Sequence, residues 1–276
     1  MQSKGGFVNK KLLIIVVAVI SVTGIFIILA GKKTGLTVSF ANRASMNGLL
    51  SQVRIFEAKG NLLEAKLLYQ KLVGDFPESS KVVDWQKRAE DINIKLLFSP
   101  SITPKSISYS IKPGDTLNKI AREHKTTVEL IMKSNNISDS LITPGRKIKI
   151  FNTPFSILVD KSQNILLLKS DEEIFKTYIV STGKNNCTPV GTFKIINKLP
   201  NPTWFKAGAI VPPEAAENVL GTRWMGFDLA GYGIHGTTDP KGLGKQVTQG
   251  CVRLSNSDVQ ELYSIVPVGT EVTVIE

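Results

Sequence analysis

Residues Leu12 to Ala30 read LLIIVVAVISVTGIFIILA, 19 positions without a charge. No other stretch constrains the chain as strongly, because so much contiguous apolar surface is costly in water. The run has about the length that crosses a hydrocarbon core as a helix, where every backbone polar group must be satisfied internally. Lys4, Lys10 and Lys11 precede it, and Lys32 and Lys33 follow. A cleaved secretory signal is the rival reading, but its apolar region is usually shorter and ends in a small-residue cleavage site. No such site follows here. The run therefore reads as an uncleaved transmembrane anchor over 12–30, with a cytoplasmic tail over 1–11 and a linker over 31–40. The lysines orient it only weakly. Placement of the C-terminal part outside the cytoplasm rests on what that part contains.

The formal net charge is +11, and it is unevenly spread. Residues 1–151 hold 23 Lys and Arg against 11 Asp and Glu, whereas residues 152–276 hold 11 against 12. A basic N-terminal half favours anionic lipid or acidic wall polymers. No nucleic-acid-binding pattern is present, so no nucleic acid is expected as a partner. The two cysteines, Cys187 and Cys251, are far apart and carry no disulfide-framework signal. No Cys/His spacing fits a metal site, and no cofactor is expected.

Residues 41–97 read as helical. Ala65, Leu68, Tyr69 and Leu72 form one apolar stripe at helical spacing. Gly60-Asn61 breaks the segment into two helices, and Pro77 ends the second. The order Gly60, Ala65, Tyr69, Pro77 resembles a single tetratricopeptide repeat. Such repeats need neighbours to bury their faces. A plain helical hairpin acting as a spacer is therefore favoured over an array for a protein partner.

A linker over 98–106 carries two prolines and several hydroxyls. Residues 107–151 then alternate as a strand to Tyr109-Ser110-Ile111 and turn at Pro113-Gly114-Asp115. Thr116 and Thr127 are placed to cap two short helices. Pro144-Gly145 turns into a closing strand, 147–151. This β-α-α-β segment closely resembles a LysM module, in its Tyr, Pro-Gly-Asp-Thr-Leu, Ile-Ala, Asn-Asn and Pro-Gly elements. The resemblance implies binding to N-acetylglucosamine-containing glycan strands such as peptidoglycan. The groove would lie between Gly114, Asp115, Thr116 and Leu117 on one side and Asn136 and Ile137 on the other. His124, inside the module, reads as a surface or partly packed histidine.

From Thr153 the pattern turns to short β-branched and aromatic runs: FSILVD, QNILLLKS, EIFKTYIVST and GTFKIINK, with VTVI at the end. One helix is expected over 257–265, with Ser255 and Asp258 in capping-box spacing. His235, in YGIHGT, lies 16 residues before Cys251, in TQGCVRL. Neighbouring strands could bring them together as a nucleophile and its base. On spacing alone, a buried thiol and a packed imidazole fit as well.

Residues 152–276 resemble the L,D-transpeptidase catalytic domain of the YkuD-like family. STGKNNCTPVGTFKI matches its Ser-Thr-Gly-Lys and Thr-Pro-x-Gly-Thr-Phe signature, YGIHGT its His-Gly-Thr block, and TQGCVRLSNSDV its cysteine block. Gln249 stands where that family usually has histidine. The whole chain thus reads as multidomain: a transmembrane helix, a small helical region, a LysM module and a mainly-β, β-sandwich catalytic domain. The resemblance implies an enzyme acting on the peptidoglycan stem tetrapeptide. Cys251 would be the nucleophile and His235 the proton acceptor and donor. The Gly236 carbonyl would orient the imidazole, and the Gly250 and Cys251 amides would be oxyanion donors. Arg253, Gln249, Thr248 and Thr237 would face substrate, with a structural ion pair as the alternative for Arg253. The acyl acceptor stays open: an amine for a transpeptidase, water for an L,D-carboxypeptidase. A wall-binding scaffold without catalysis is the reading from another class.

Overall fold

A computed structural model describes residues 35–276, Ala207 excepted. These residues fall into two compact units divided between Asn93 and Ile94. The apolar run at 12–30 lies outside the described residues. No helix among the described residues is long and apolar enough to cross a membrane.

The first unit is helical: α1 (Gly35–Ala58), α2 (Leu62–Asp75) and most of α3 (Val82–Leu97). The Gly60-Asn61 break falls between α1 and α2. Helix α2 stops before Phe76, because the residue preceding a proline is pushed out of the helical region. Ala65, Tyr69 and Leu72 are buried along α2, while Leu68 is half-buried. The Tyr69 hydroxyl donates to Glu57 at 3.2 Å. The expected hairpin is in fact three helices. Val82, Trp85, Ala89 and Ile92 give α3 an apolar face of its own.

The second unit begins with the β-α-α-β module. Strand β1 (Ser106–Ser110) pairs antiparallel with β2 (Lys147–Phe151), Tyr109 opposite Ile148. Between them lie α4 (Leu117–Glu123) and α5 (Val128–Ser134). Both expected caps form: Thr116 accepts from the Lys119 amide, and Thr127 from the Leu130 amide. The core is Ile111, Leu117, Ile120, Ala121, Ile131, Ile137, Ile148 and Ile150.

The rest is mainly β. The expected runs appear as β3 (Phe155–Asp160), β4 (Ile165–Ser170), β5 (Glu173–Ile179), β7 (Gly191–Pro200) and β14 (Glu271–Ile275). Further strands are β6 (Thr182–Gly183), β8 (Trp204–Lys206), β9 (Ala209–Val211), β10 (Arg223–Phe227), β11 (Gly233–His235), β12 (Gln246–Thr248) and β13 (Val252–Arg253). Eight strands form one continuous sheet in the order β13-β11-β10-β7-β14-β3-β4-β5. This differs from the two separate sheets of a sandwich, and β7 is the reason. Its first half, Gly191–Lys194, pairs with β14, and its second half, from Ile195, pairs with β10. One strand serving two neighbours at different heights curls the sheet instead of splitting it.

The sheet packs on α6 (Asn256–Ile265), whose Val259, Leu262 and Ile265 are buried with Ile157, Val159, Ile195, Met225 and Ile234. Ser255 caps α6 by accepting from the Asp258 amide. At its other end the Lys198 ammonium donates to the Tyr263 and Val266 carbonyls at 2.6 and 2.8 Å. Burial pushes this lysine down to about 8.

The two parts of the second unit share apolar surface. Leu130 and Phe151 belong to the core cluster that contains the sheet and α6. Phe151 stacks on Phe155 at 4.7 Å, across a link of only three residues. The Thr127 hydroxyl donates to the Ser264 carbonyl on α6, and the Lys133 ammonium donates to the Ser264 hydroxyl at 3.0 Å. Truncating Leu130, which is 1% exposed, to alanine should therefore cost about 2–5 kcal/mol. Urea unfolding should show module and sheet lost in one transition. Two separate transitions would show that the shared surface does not couple them.

Candidate active site

Strand β11 pairs with β13 in parallel, with Ile234 opposite Val252 and His235 opposite Arg253. A parallel pair needs a crossover connection. Here residues 236–251 supply it, running through a short 3-10 turn (Pro240–Gly242) and β12, which pairs with β6. The crossover returns Cys251 to the end of β13, on the strand next to His235. Both line a pocket of about 550 Å³ with Trp224, Thr248, Gln249 and Arg253.

His235 is buried, and its Nδ1 lies 2.7 Å from the Gly236 carbonyl. A carbonyl only accepts, so Nδ1 carries the hydrogen, and Nε2 is left with the lone pair. Burial pushes the imidazole down to about 4; the Gly236 carbonyl opposes the shift, the Arg253 guanidinium adds to it, and the Leu220 carbonyl opposes it. At neutral pH the ring is an uncharged base. Trp224, the cross-strand partner of His235, lies over it with centroids 6.0 Å apart. The Trp224 indole is tied to Asn197 at 3.1 Å. Its place opposite His235 in the β10–β11 register makes Trp224 a wall of the pocket.

The Cys251 thiol is half-buried and lies 3.5 Å from the Gly231 carbonyl. Burial raises it above the usual thiol range, offset by the Gly233 amide and the Arg253 guanidinium. Thiol and imidazole are thus both neutral at rest.

Gly250 shapes the turn before the thiol. Its φ of +125° suits glycine, and a Cβ there would sit 2.6 Å from the Tyr232 ring. The Gly250 amide, expected as an oxyanion donor, donates instead to the Thr248 hydroxyl at 3.1 Å. That hydroxyl in turn donates to the Cys251 carbonyl at 2.7 Å. Both residues therefore lock the turn, with the Gly250 amide and the Thr248 hydroxyl bonded within it. Thr237 is likewise consumed, its hydroxyl donating to the Asp239 carbonyl and accepting from the Asp239 amide. Gln249 is exposed at the pocket rim. The Arg253 Nε is buried without a hydrogen-bond partner, and no ion pair among the described residues involves Arg253. The ion-pair alternative for this residue finds no partner there.

In the β-α-α-β module, Leu117 and Ile137 are core residues. The Asp115 carboxylate accepts from the Tyr109 hydroxyl at 2.8 Å and the Lys112 amide at 2.9 Å, which holds it below the usual carboxylate range. These three side chains are used inward. Gly114, Thr116 and Asn136 are exposed. His124 is partly exposed, 3.3 Å from Asn152 and edge-on to Tyr109.

With this geometry in place, the chain can be set beside known proteins. Residues 154–274 match the L,D-transpeptidase catalytic domain family named YkuD, and residues 109–151 match the LysM domain family. YkuD of Bacillus subtilis (strain 168), named as an L,D-transpeptidase, is 35% identical over 175 residues, covering 61% of this chain and 98% of that protein. YqjB of the same strain is 37% identical over 126 residues, covering 44% of this chain and 70% of that protein. Among solved structures, an L,D-transpeptidase from Mycobacterium smegmatis is 22% identical with a TM-score of 0.38, covering 48% of this chain. This chain spans 64% of that one, just under two thirds. The catalytic domain of the E. faecium L,D-transpeptidase is 25% identical with a TM-score of 0.38, covering 45% of this chain and 98% of that one. The chain belongs to the YkuD L,D-transpeptidase family and carries a LysM domain.

A resting neutral thiol has a simple chemical signature. At neutral pH, iodoacetamide should label exposed Cys187 before Cys251. Labelling of Cys251 should keep climbing with pH beyond the ordinary thiol range. Peptide mass mapping that finds Cys251 labelled first would show a resting thiolate instead.

Proposed function

We propose that the protein is a peptidoglycan L,D-transpeptidase. The supporting observation is one pocket holding a thiol, a neutral imidazole tied through Nδ1 to a carbonyl, and an unpaired guanidinium. His235 Nε2 takes the Cys251 proton as the sulfur attacks the carbonyl carbon of the third stem residue. The tetrahedral oxyanion is held by the Cys251 amide, since the Gly250 amide is engaged elsewhere. The bond to the terminal D-alanine breaks, and the imidazolium returns its proton to the leaving amine. An amine acceptor then attacks the thioester, its proton passing through His235, and the thiolate leaves. Arg253 grips a carboxylate of the donor stem bidentately. Gln249 shapes the donor entrance.

Around this centre, the LysM domain holds glycan strands through its exposed edge at Gly114, Thr116 and Asn136. Residues 12–30 anchor the chain in the bacterial membrane, and the helical region spaces the enzyme from it. The described domains then work outside the cytoplasm, in the cell wall.

Mass spectrometry of purified protein given a stem tetrapeptide and an amine acceptor tests the reading. Cross-linked product is expected; a tripeptide alone would identify the L,D-carboxypeptidase, and no product with no carbapenem adduct on Cys251 would identify the scaffold. Replacing His235 with alanine should slow Cys251 acylation by at least about 10²-fold. Replacing Gln249 with alanine should cost much less. Equal losses in single-turnover acylation would overturn the assignment of His235 as the base.

The pH dependence follows from burial of the imidazole. Its acidity is shifted down from about 6.5 to about 4, so the ring stays a base as pH falls through 6. Acylation should hold its rate to about pH 5 and be lost as pH falls through about 4. A stopped-flow pH profile with its acid limb near 6.5 would contradict this.

A further inference from the structure

Asn256 is the first residue of α6, and its side chain points away from the helix. It does not cap α6, because Ser255 does. Its Oδ1 instead accepts from the Thr237 amide at 3.2 Å, the Thr222 amide at 3.1 Å and the Thr222 hydroxyl at 3.4 Å. Backbone amides can only donate, so the convergence of two on one atom identifies that atom as the oxygen.

The Thr237 amide and the Gly236 carbonyl are the two ends of one peptide group. Its carbonyl holds the His235 ring, and its N–H is held by Asn256. Two glycines flank this arrangement. A Cβ at Gly236 would lie 2.2 Å from Asn256 Oδ1, and one at Gly221 would lie 2.3 Å from it. Both contacts are far inside van der Waals distance, so the surroundings admit the amide only where side chains are absent.

We propose that Asn256 is a positioning residue for the reaction, acting on His235 through the Gly236–Thr237 peptide group. This rests on the transpeptidase reading and adds a fourth member to the cysteine, histidine and carbonyl. The physical reason has two parts. A planar peptide pinned at its N–H cannot rotate its carbonyl away from the imidazole. A hydrogen bond to the N–H also polarises the peptide and strengthens the carbonyl as acceptor, because linked hydrogen bonds reinforce one another. Orientation of the ring and stabilisation of the imidazolium formed during attack both follow.

The test compares Asn256→Leu, Asn256→Ala and Asn256→Asp in the full chain. Two readouts are used: single-turnover acylation of Cys251 by a carbapenem across pH, and the His235 tautomer from imidazole ¹⁵N shifts. The leucine and alanine variants lack the acceptor. They should slow acylation by about tenfold or more, short of the roughly 10²–10⁴-fold that acid–base assistance supplies. His235 should lose its fixed Nδ1–H tautomer. Asn256→Asp keeps an acceptor for all three donors and adds charge. It should retain most of the rate and move the acid limb to higher pH, because a nearby negative charge favours imidazolium.

A purely structural role would lower thermal stability yet leave rate, acid limb and tautomer at parent values in the folded leucine or alanine variant. That result would overturn the proposal. So would an aspartate variant that is folded but as slow as the leucine variant. The tautomer readout does not depend on turnover. A parent protein that never acylates, but whose tautomer is fixed only while residue 256 can accept, would refute the transpeptidase reading and leave the relay standing.

Discussion

Burial of α6 against the curled sheet is the constraint on which the rest of the second unit depends. Val259, Leu262 and Ile265 fill the space that the sheet encloses when β7 changes partner. Around that buried face the helix organises two distant regions. Its first residue, Asn256, ties together the Thr222 and Thr237 amides beside His235. Near its last turn, Ser264 receives the LysM domain through Thr127 and Lys133. The buried Tyr263 and Val266 carbonyls at its C-terminal end are satisfied by Lys198, as the macrodipole favours. A single helix thus links the LysM domain, the core and the residues beside the pocket.

The electrostatics of the pocket follow from the same enclosure. Burial disfavours charge on both the imidazole and the thiol, so the resting pair is neutral. A neutral pair places the demand on preorganisation. In the transpeptidase reading, the ring has to face the sulfur with Nε2 bare, without an ion pair to hold it there. The Gly236 carbonyl bonds the ring, Trp224 stacks on it, and Asn256 bonds the peptide that carries that carbonyl. The turn before Cys251 is equally closed, with Thr248 bonded at both of its polar functions. The unpaired guanidinium of Arg253 is the exception, a donor left without a partner in a pocket whose other polar groups are largely spoken for. A buried donor without an acceptor is costly.

Lys149 shows how the start of the second unit is seated. Its ammonium is buried and donates to the Leu96, Leu97 and Ser99 carbonyls, the first two at the end of α3. Burial pushes it down to about 8. The sequence places Lys149 on the closing strand of a LysM pattern, where lysine ordinarily reads as solvent-facing. Its real task is visible only with the preceding residues packed beside it.

What the sequence determined is mostly local or carried by ordered blocks. Caps at Thr116, Thr127 and Ser255 were legible because a hydroxyl bonds an amide three residues away, and that geometry depends on few neighbours. Strands such as 155–160 were legible from their β-branched runs, and the two domains from motifs spread along each. Cys251 and His235 were legible as residues able to act together, through the order of the blocks that hold them. What only the tertiary structure decided is how polar groups share partners. Gly250, Thr248, Thr237 and Asp115 looked free in one dimension, and folding spends their hydrogen bonds internally. Trp224 is a wall of the pocket through a cross-strand register. Asn256 holds the far end of the peptide that holds the histidine. The physical reason is the same in each case. A hydrogen-bonding group can be satisfied by any partner that the packed chain brings within about 3 Å, and partners remote in sequence are chosen by packing, which composition and spacing do not encode.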